Sequence, residues 1–98
     1  MKYLNNKNHY SLHVMGENLY NVAKTHKTIT NLTQIINNMP LMRSKAVVDN
    51  LIQQCLLHNV ECQMLIEVLN ADEDIQKEYT NYFLQGYLSA KNESKDKE

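Results

Sequence analysis

The chain has few of the residues that interrupt regular structure. Its 98 residues include two Gly and one Pro. A sheet of many short strands needs frequent turns, which Gly and Pro commonly supply, so this scarcity favours long helices. The sequence also has no run of eighteen consecutive apolar residues, the minimum for a membrane-spanning helix. We therefore predict an all-α fold that does not cross or bind a membrane.

An excess of charge of one sign is absent as well. Ten Lys plus Arg oppose eleven Asp plus Glu, which leaves a formal charge of −1 and no general attraction to nucleic acid or to anionic lipid. Residues 1–8 contain no apolar stretch of the kind that forms a signal peptide, so we expect a cytoplasmic protein. The abundance of Asn, with many Lys, Ile and Tyr, is typical of AT-rich genomes, including those of some phages and plasmids.

The apolar spacing near the end of the chain predicts a helix from about 72 to 90. Asn70 with Glu73 resembles a capping box at its start. An apolar stripe follows at helical spacing and includes an aromatic cluster that we assign to the core. The stripe comprises Ile75, Tyr79, Tyr82, Phe83, Gly86 and Ala90, and the aromatic cluster comprises Tyr79, Tyr82, Phe83 and Tyr87. We expect Gly86 to allow the close approach of another helix. We expect one helical domain over residues 1–90 and a disordered charged tail over 91–98.

The middle of the chain predicts one long helix from about 44 to 70, with Ser44 as its N-cap after Pro40. A broad apolar arc along it is assigned to the core and comprises Val47, Val48, Leu51, Ile52, Cys55, Leu56, Cys62, Leu65, Ile66 and Leu69. A narrow stripe on the far side comprises Leu57, Val60, Met64 and Val68. The predicted architecture is a three- to four-helix bundle around this central helix, in which the narrow stripe needs another neighbour.

The N-terminal third leaves two alternatives open. Residues 28–39 have helical spacing, and the stripe of residues 12–22 points in another direction, which predicts a break near 24–28. Residues 9–23 form either a helix or a β-hairpin, because Gly16 suits the first position of a type II′ turn. The hairpin would make the fold α+β.

Cys55, His58 and Cys62 follow one another at i, i+3 and i+7, and all three residue types bind zinc. The spacing is not one of the common structural zinc spacings. A fourth ligand would have to be another histidine, namely His9, His13 or His26. We favour the interpretation that both cysteines are small core residues, with no metal and no cofactor. On one straight helix they would lie about 10 Å apart along the axis, too far for a disulfide.

No nucleophile, acid–base pair or phosphate loop stands in a catalytic pattern, so we expect no enzyme activity. The leading prediction is a non-enzymatic protein-binding regulator or inhibitor. It would form a homodimer through Leu57, Val60, Met64 and Val68, unless the N-terminal segment covers that stripe. Two alternatives stay open: a zinc-binding structural protein, and a DNA-binding regulator. The second needs its basic residues on one face, namely Lys24, Lys27, Arg43 and Lys45.

Overall fold

The computed structural model describes residues 6–96, with side chains for residues 9–93. It contains α1 (Asn6–Ala23), α2 (Ile29–Asn38), a 3-10 turn (Met39–Leu41), α3 (Ser44–Leu57), α4 (Gln63–Leu69) and α5 (Glu73–Asp96). No strand occurs within residues 6–96, so the all-α prediction is confirmed. The alternative β-hairpin over residues 9–23 is wrong, because these residues lie within α1. The predicted break at 24–28 is confirmed as the connection between α1 and α2.

The two longest helices, α1 and α5, make the most extensive contact in the fold, and a glycine from each lies in that contact. A Cβ atom on Gly86 would overlap the backbone carbonyl of His13, and one on Gly16 would overlap that of Phe83. The prediction that Gly86 allows a close helix approach is therefore confirmed. Gly16, which suggested a hairpin turn, instead lets the two helix backbones touch.

Around this contact lies a core built from all five α-helices. Tyr79, Phe83 and Tyr87 on α5 are almost completely buried, which confirms the assignment of the aromatic cluster to the core. Tyr82 is half-buried and its ring stacks on His9, with ring centroids 4.0 Å apart. The helix that supplies the three largest fully buried side chains is thus the one whose spacing was clearest in the sequence.

The start of α5 at Glu73 lies within one residue of the predicted start, whereas its end and the residue that precedes it differ from the prediction. Its first intrahelical hydrogen bond runs from the Gln76 amide to the Asp72 carbonyl at 2.9 Å, so Asp72 rather than Asn70 precedes the helix. The helix then continues to Asp96, past the predicted start of a disordered tail at residue 91. No Gly or Pro follows Ala90 to end it. Residues 97–98 lie outside the described part of the chain.

The prediction of one helix over 44–70 is wrong, because α3 ends at Leu57 and α4 begins at Gln63. Asn59 has a φ of 58°, in the left-handed region. The Val60 amide donates to the Cys55 carbonyl at 2.8 Å, and the Asn59 amide donates to the Leu56 carbonyl at 3.3 Å. This hydrogen-bond pair is the Schellman motif, which ends helices at a residue that tolerates positive φ. Asn is among the few residues besides Gly that do so readily.

We expect Asn59→Val to lower the free energy of unfolding by about 1–2 kcal/mol, because a β-branched side chain is strained in the left-handed region. Asn59→Gly should be neutral or slightly stabilising, since glycine adopts this conformation freely. Urea unfolding followed by circular dichroism measures both. Equal stability of the two variants would contradict the assignment of Asn59 as the residue that ends α3.

Candidate protein interface

The reversal at Asn59 brings Cys55 and Cys62 together. Their thiols are hydrogen-bonded, and the two residues are 0% and 4% exposed. The predicted separation of about 10 Å is wrong, because it assumed one straight helix and the chain turns back between the two residues. Both cysteines are free thiols in the core, as their place on the broad apolar arc predicted.

Burial and, to a smaller extent, the neighbouring Cys62 together raise the pKa of Cys55 from an ordinary value of 9.0 to about 12. Burial also raises the pKa of Cys62, and Glu61 adds to the shift. The thiolate is the form that attacks electrophiles and binds metals, so raised pKa values make these thiols poor nucleophiles at neutral pH. Their environment therefore favours a role in core packing over a role as nucleophiles or metal ligands.

The raised pKa of Cys55 predicts a loss of stability in alkali. The folded chain holds the Cys55 thiol proton more tightly than the unfolded chain does. The contribution of this thiol to the free energy of unfolding is therefore complete below pH 9 and is lost as the pH rises towards 12. The loss from this group should approach about 1.4 kcal/mol per pH unit above 9. Urea unfolding from neutral pH to about pH 10 measures it. Cys55→Ser, which carries no titrating thiol, should show a shallower decline; an equal slope would contradict the account.

His58 does not join the two cysteines. Its Nε2 atom lies 2.9 Å from the Thr28 hydroxyl, and its ring stacks on that of His26 with centroids 5.3 Å apart. The described residues contain no group of three or more His, Cys, Asp or Glu side chains that could hold a metal ion. The predicted zinc ligands therefore do not assemble. His58 instead ties the end of α3 to the connection between α1 and α2.

The structure divides the four residues of the predicted interface stripe. Leu57 is 58% exposed, whereas Val68 is completely buried in the core. Val60 and Met64 are half-buried and pack against the core. The four residues do not form one continuous surface, because the break between α3 and α4 changes the direction in which α4 presents its side chains.

The same break exposes two residues that the broad arc had assigned to the core. Leu56 is 57% exposed at the end of α3, and Ile66 is 39% exposed on α4. With Leu57 they make three large exposed apolar side chains near the break, two at the end of α3 and one on α4. We call these three residues, Leu56, Leu57 and Ile66, the α3–α4 corner. The sequence analysis did not identify these three residues as one exposed set. It treated the middle of the chain as one straight helix, whereas the helix axis changes direction at residues 58–62.

A cleft of about 380 Å³ opens beside Leu57. It is lined by Val22, His26, Thr28, Leu57, His58 and Asn59. The lining combines two apolar side chains with two imidazoles, a hydroxyl and an amide, and contains no carboxylate or thiol. Such a surface suits contact with a protein segment that has both apolar and hydrogen-bonding groups.

A second apolar surface lies near the start of α3. Leu41 is 87% exposed on the 3-10 turn. Beside that turn is a groove of about 360 Å³ between α2, α3 and α5, lined by Ile36, Met39, Pro40, Met42, Ser44, Val47, Lys77, Thr80, Asn81 and Leu84. The sequence analysis did not single out Leu41. Its signal was an apolar residue directly after the chain's single proline, where a turn leaves little to cover it.

The basic residues considered for DNA binding lie at opposite ends of α3. Lys27 precedes Thr28, which contacts His58 just after the C-terminal end of that helix. Arg43 and Lys45 lie at its N-terminal end, about 20 Å away for a helix of 14 residues. Lys27 is therefore separated from Arg43 and Lys45 by about the length of α3.

None of the described helices is both long and apolar enough to cross a membrane. Comparisons with protein-family models, with curated proteins and with solved structures gave no match. The functional argument therefore depends on the surface and chemistry of this chain alone.

Proposed function

We propose that the chain is a non-enzymatic protein-binding regulator or inhibitor that forms a homodimer through the α3–α4 corner. The observation that supports this proposal is the exposure of two consecutive leucines, Leu56 and Leu57, at 57% and 58%. Exposed apolar groups clustered on a soluble protein commonly mark an interaction surface. Full burial of each leucine against a partner would contribute about 1.5–3 kcal/mol.

A second copy of the chain is a suitable partner for this corner. A two-fold interface places the same patch on both partners, so a single apolar corner can cover itself. Exposed polar residues flank it, Gln53 before the two leucines and Glu61 and Gln63 after the break. The formal charge of −1 gives little repulsion between copies. The corner therefore has the apolar centre and polar rim found in protein interfaces.

The chemistry around the corner supports a binding role over catalysis. The two thiols nearest to it are buried and have raised pKa values, which disfavours the thiolate. The His58 ring is held by Thr28 and stacked on His26. No group in this set is both free and activated for attack on a substrate.

Sedimentation equilibrium over a range of protein concentrations tests self-association. We expect the wild-type mass to rise from monomer to dimer and Leu57→Glu to stay monomeric, with equal melting temperatures at concentrations where the wild type is itself monomeric. Gln85→Glu is the matched control, since it adds the same charge to an exposed position on α5, outside the α3–α4 corner and its polar rim. A wild type that stays monomeric at millimolar concentration would contradict the homodimer.

A photo-reactive amino acid at position 57 tests the broader claim of protein binding. We expect covalent adducts with a second copy, with another protein of the host extract, or with both, and far fewer adducts from the same group at position 85, which is exposed on α5. Equal labelling from the two positions would contradict a binding site at the corner.

A further inference from the structure

The only two cysteines of the chain meet in the core. Helix α3 runs from Ser44, which is its first residue and not its predicted N-cap, to Leu57, so Cys55 lies in its last turn. Cys62 is the residue directly before α4. Both thiols are free, and they are hydrogen-bonded to each other. The fold thus brings together two groups that can form a covalent bond, and the proposed function does not use them.

The backbone on both sides of the break fixes the two cysteines. Asn59 turns the chain back, and the Val60 amide donates to the Cys55 carbonyl at 2.8 Å. The Ile66 amide donates to the Cys62 carbonyl at 3.1 Å, in the first turn of α4. Each cysteine is therefore held at its backbone, and its sulfur is the part that is left to rotate. A disulfide of about 2 Å is within reach of side-chain rotation from such a contact.

The two thiols differ in their readiness to react. Burial raises the pKa of Cys62, and Glu61 raises it further, whereas the hydrogen bond from Cys55 lowers it. The same hydrogen bond adds to the rise in the pKa of Cys55, whose thiol donates it. Cys62 is also the more exposed of the two residues, at 4% against 0%. Cys62 is therefore the first thiol to form a thiolate, and Cys55 is the second.

We infer that Cys55 and Cys62 are a modification site at which hydrogen peroxide forms an intramolecular disulfide. The Cys62 thiolate attacks one peroxide oxygen, the O–O bond breaks, and a sulfenic acid and hydroxide form. The hydroxide takes up the proton that the thiol released and becomes water. The Cys55 sulfur then attacks the sulfenic sulfur, the S–O bond breaks, and the Cys55 proton leaves with the oxygen as a second water. Two thiols thus lose two electrons and two protons to one peroxide.

The disulfide would close a loop over residues 55–62, which contains Leu56 and Leu57. Joining the ends of a loop removes conformations from the unfolded chain and so stabilises the fold. The end of α3 would then be covalently tied to the start of α4, beneath the α3–α4 corner. The bond forms within one chain, so the inference does not depend on the homodimer. The raised pKa values make the reaction slow at neutral pH, and its rate should rise steadily from pH 7 to pH 10.

The test treats the reduced protein with hydrogen peroxide and then alkylates the remaining thiols in urea. We expect no alkylated cysteine, an intact mass lower by two hydrogens once methionine oxidation is subtracted, and two joined peptides after proteolysis at Glu61. The double variant Cys55→Ser, Cys62→Ser measures the methionine oxidation. The melting temperature of the oxidised wild type should rise by about 10 °C, and dithiothreitol should reverse the rise.

The single variants test the order of reaction. Cys55→Ser should accumulate a sulfenic acid at Cys62 that dimedone captures, because the second sulfur is absent. Cys62→Ser should keep a Cys55 thiol that is still alkylated in urea after the same treatment. Neither variant should show the rise in melting temperature.

Four outcomes would overturn the inference. They are thiols that stay intact after the methionines are oxidised, a sulfinic acid at Cys62 beside a free Cys55 thiol, disulfides formed only between chains, and an oxidised wild type that melts no higher than the reduced protein. An intramolecular disulfide in a chain that never dimerises would instead contradict the homodimer alone.

Discussion

Replacement of Gly86 by alanine is expected to lower the free energy of unfolding by about 3 kcal/mol. The same change on an exposed helix surface stabilises a protein by about 1 kcal/mol, because alanine is the better helix former. Here the sign reverses, since the new methyl group would overlap the His13 backbone on α1. Neither backbone can move aside without separating the two longest helices along their contact.

Urea unfolding of Gly86→Ala beside Gln85→Ala measures this effect with a matched control. Gln85 is exposed on the same helix, so its replacement should change stability by no more than about 0.5 kcal/mol. Gly16→Ala should behave like Gly86→Ala, because a methyl group there would overlap the Phe83 carbonyl. Unchanged stability of both glycine variants would contradict the close packing of α1 on α5.

Val68→Glu is expected to unfold the chain, whereas Leu57→Glu should leave its stability within about 0.5 kcal/mol of wild type. Val68 is completely buried and Leu57 is 58% exposed, although a single straight helix would place them on the same stripe. An unpaired carboxylate in the core costs several kcal/mol, which is comparable to the whole stability of a domain of this size.

Thermal unfolding followed by circular dichroism separates the two positions. Val68→Ala serves as a milder variant that should fold, with a loss of about 2 kcal/mol for the cavity it creates. At protein concentrations where the wild type is monomeric, Leu57→Ala should have almost no effect on the melting temperature. The reverse order, with position 57 more sensitive than position 68, would mean that the helix is continuous through residues 58–62.

The parts of the fold that the sequence predicted best are those set by many residues together. The stripe of α5 repeats over several turns, so its helical character and its buried aromatic residues followed from spacing alone. The break between α1 and α2 was also predicted, because the apolar stripes on its two sides point in different directions. In both cases one misplaced residue would not have changed the conclusion.

The end of α3 depends on a single residue and could not be predicted in the same way. Asn59 adopts the left-handed conformation, yet the chain has thirteen asparagines and most lie within or beside helices. The surrounding sequence keeps helical apolar spacing through the break. Which asparagine ends a helix is decided by packing, here by the return of Cys62 against Cys55.

The break at Asn59 also changed which residues form the candidate site. The projection through residues 44–70 placed Ile66 on the core arc and Val68 on the narrow stripe, whose neighbour was left open; in the structure Ile66 is 39% exposed and Val68 is completely buried. Gly16 shows the same limit, because a glycine that suits a turn equally suits a close contact between helices. Distinguishing these roles requires knowledge of which helices are neighbours.

The most direct test of the proposed binding surface is a dilution series of the isotope-labelled protein from millimolar to micromolar concentration, followed by amide NMR. A homodimer through the α3–α4 corner predicts concentration-dependent shifts at Leu56, Leu57 and Ile66 and none around Leu41. Shifts confined to the groove beside Leu41, or a spectrum that does not change with concentration, would contradict it.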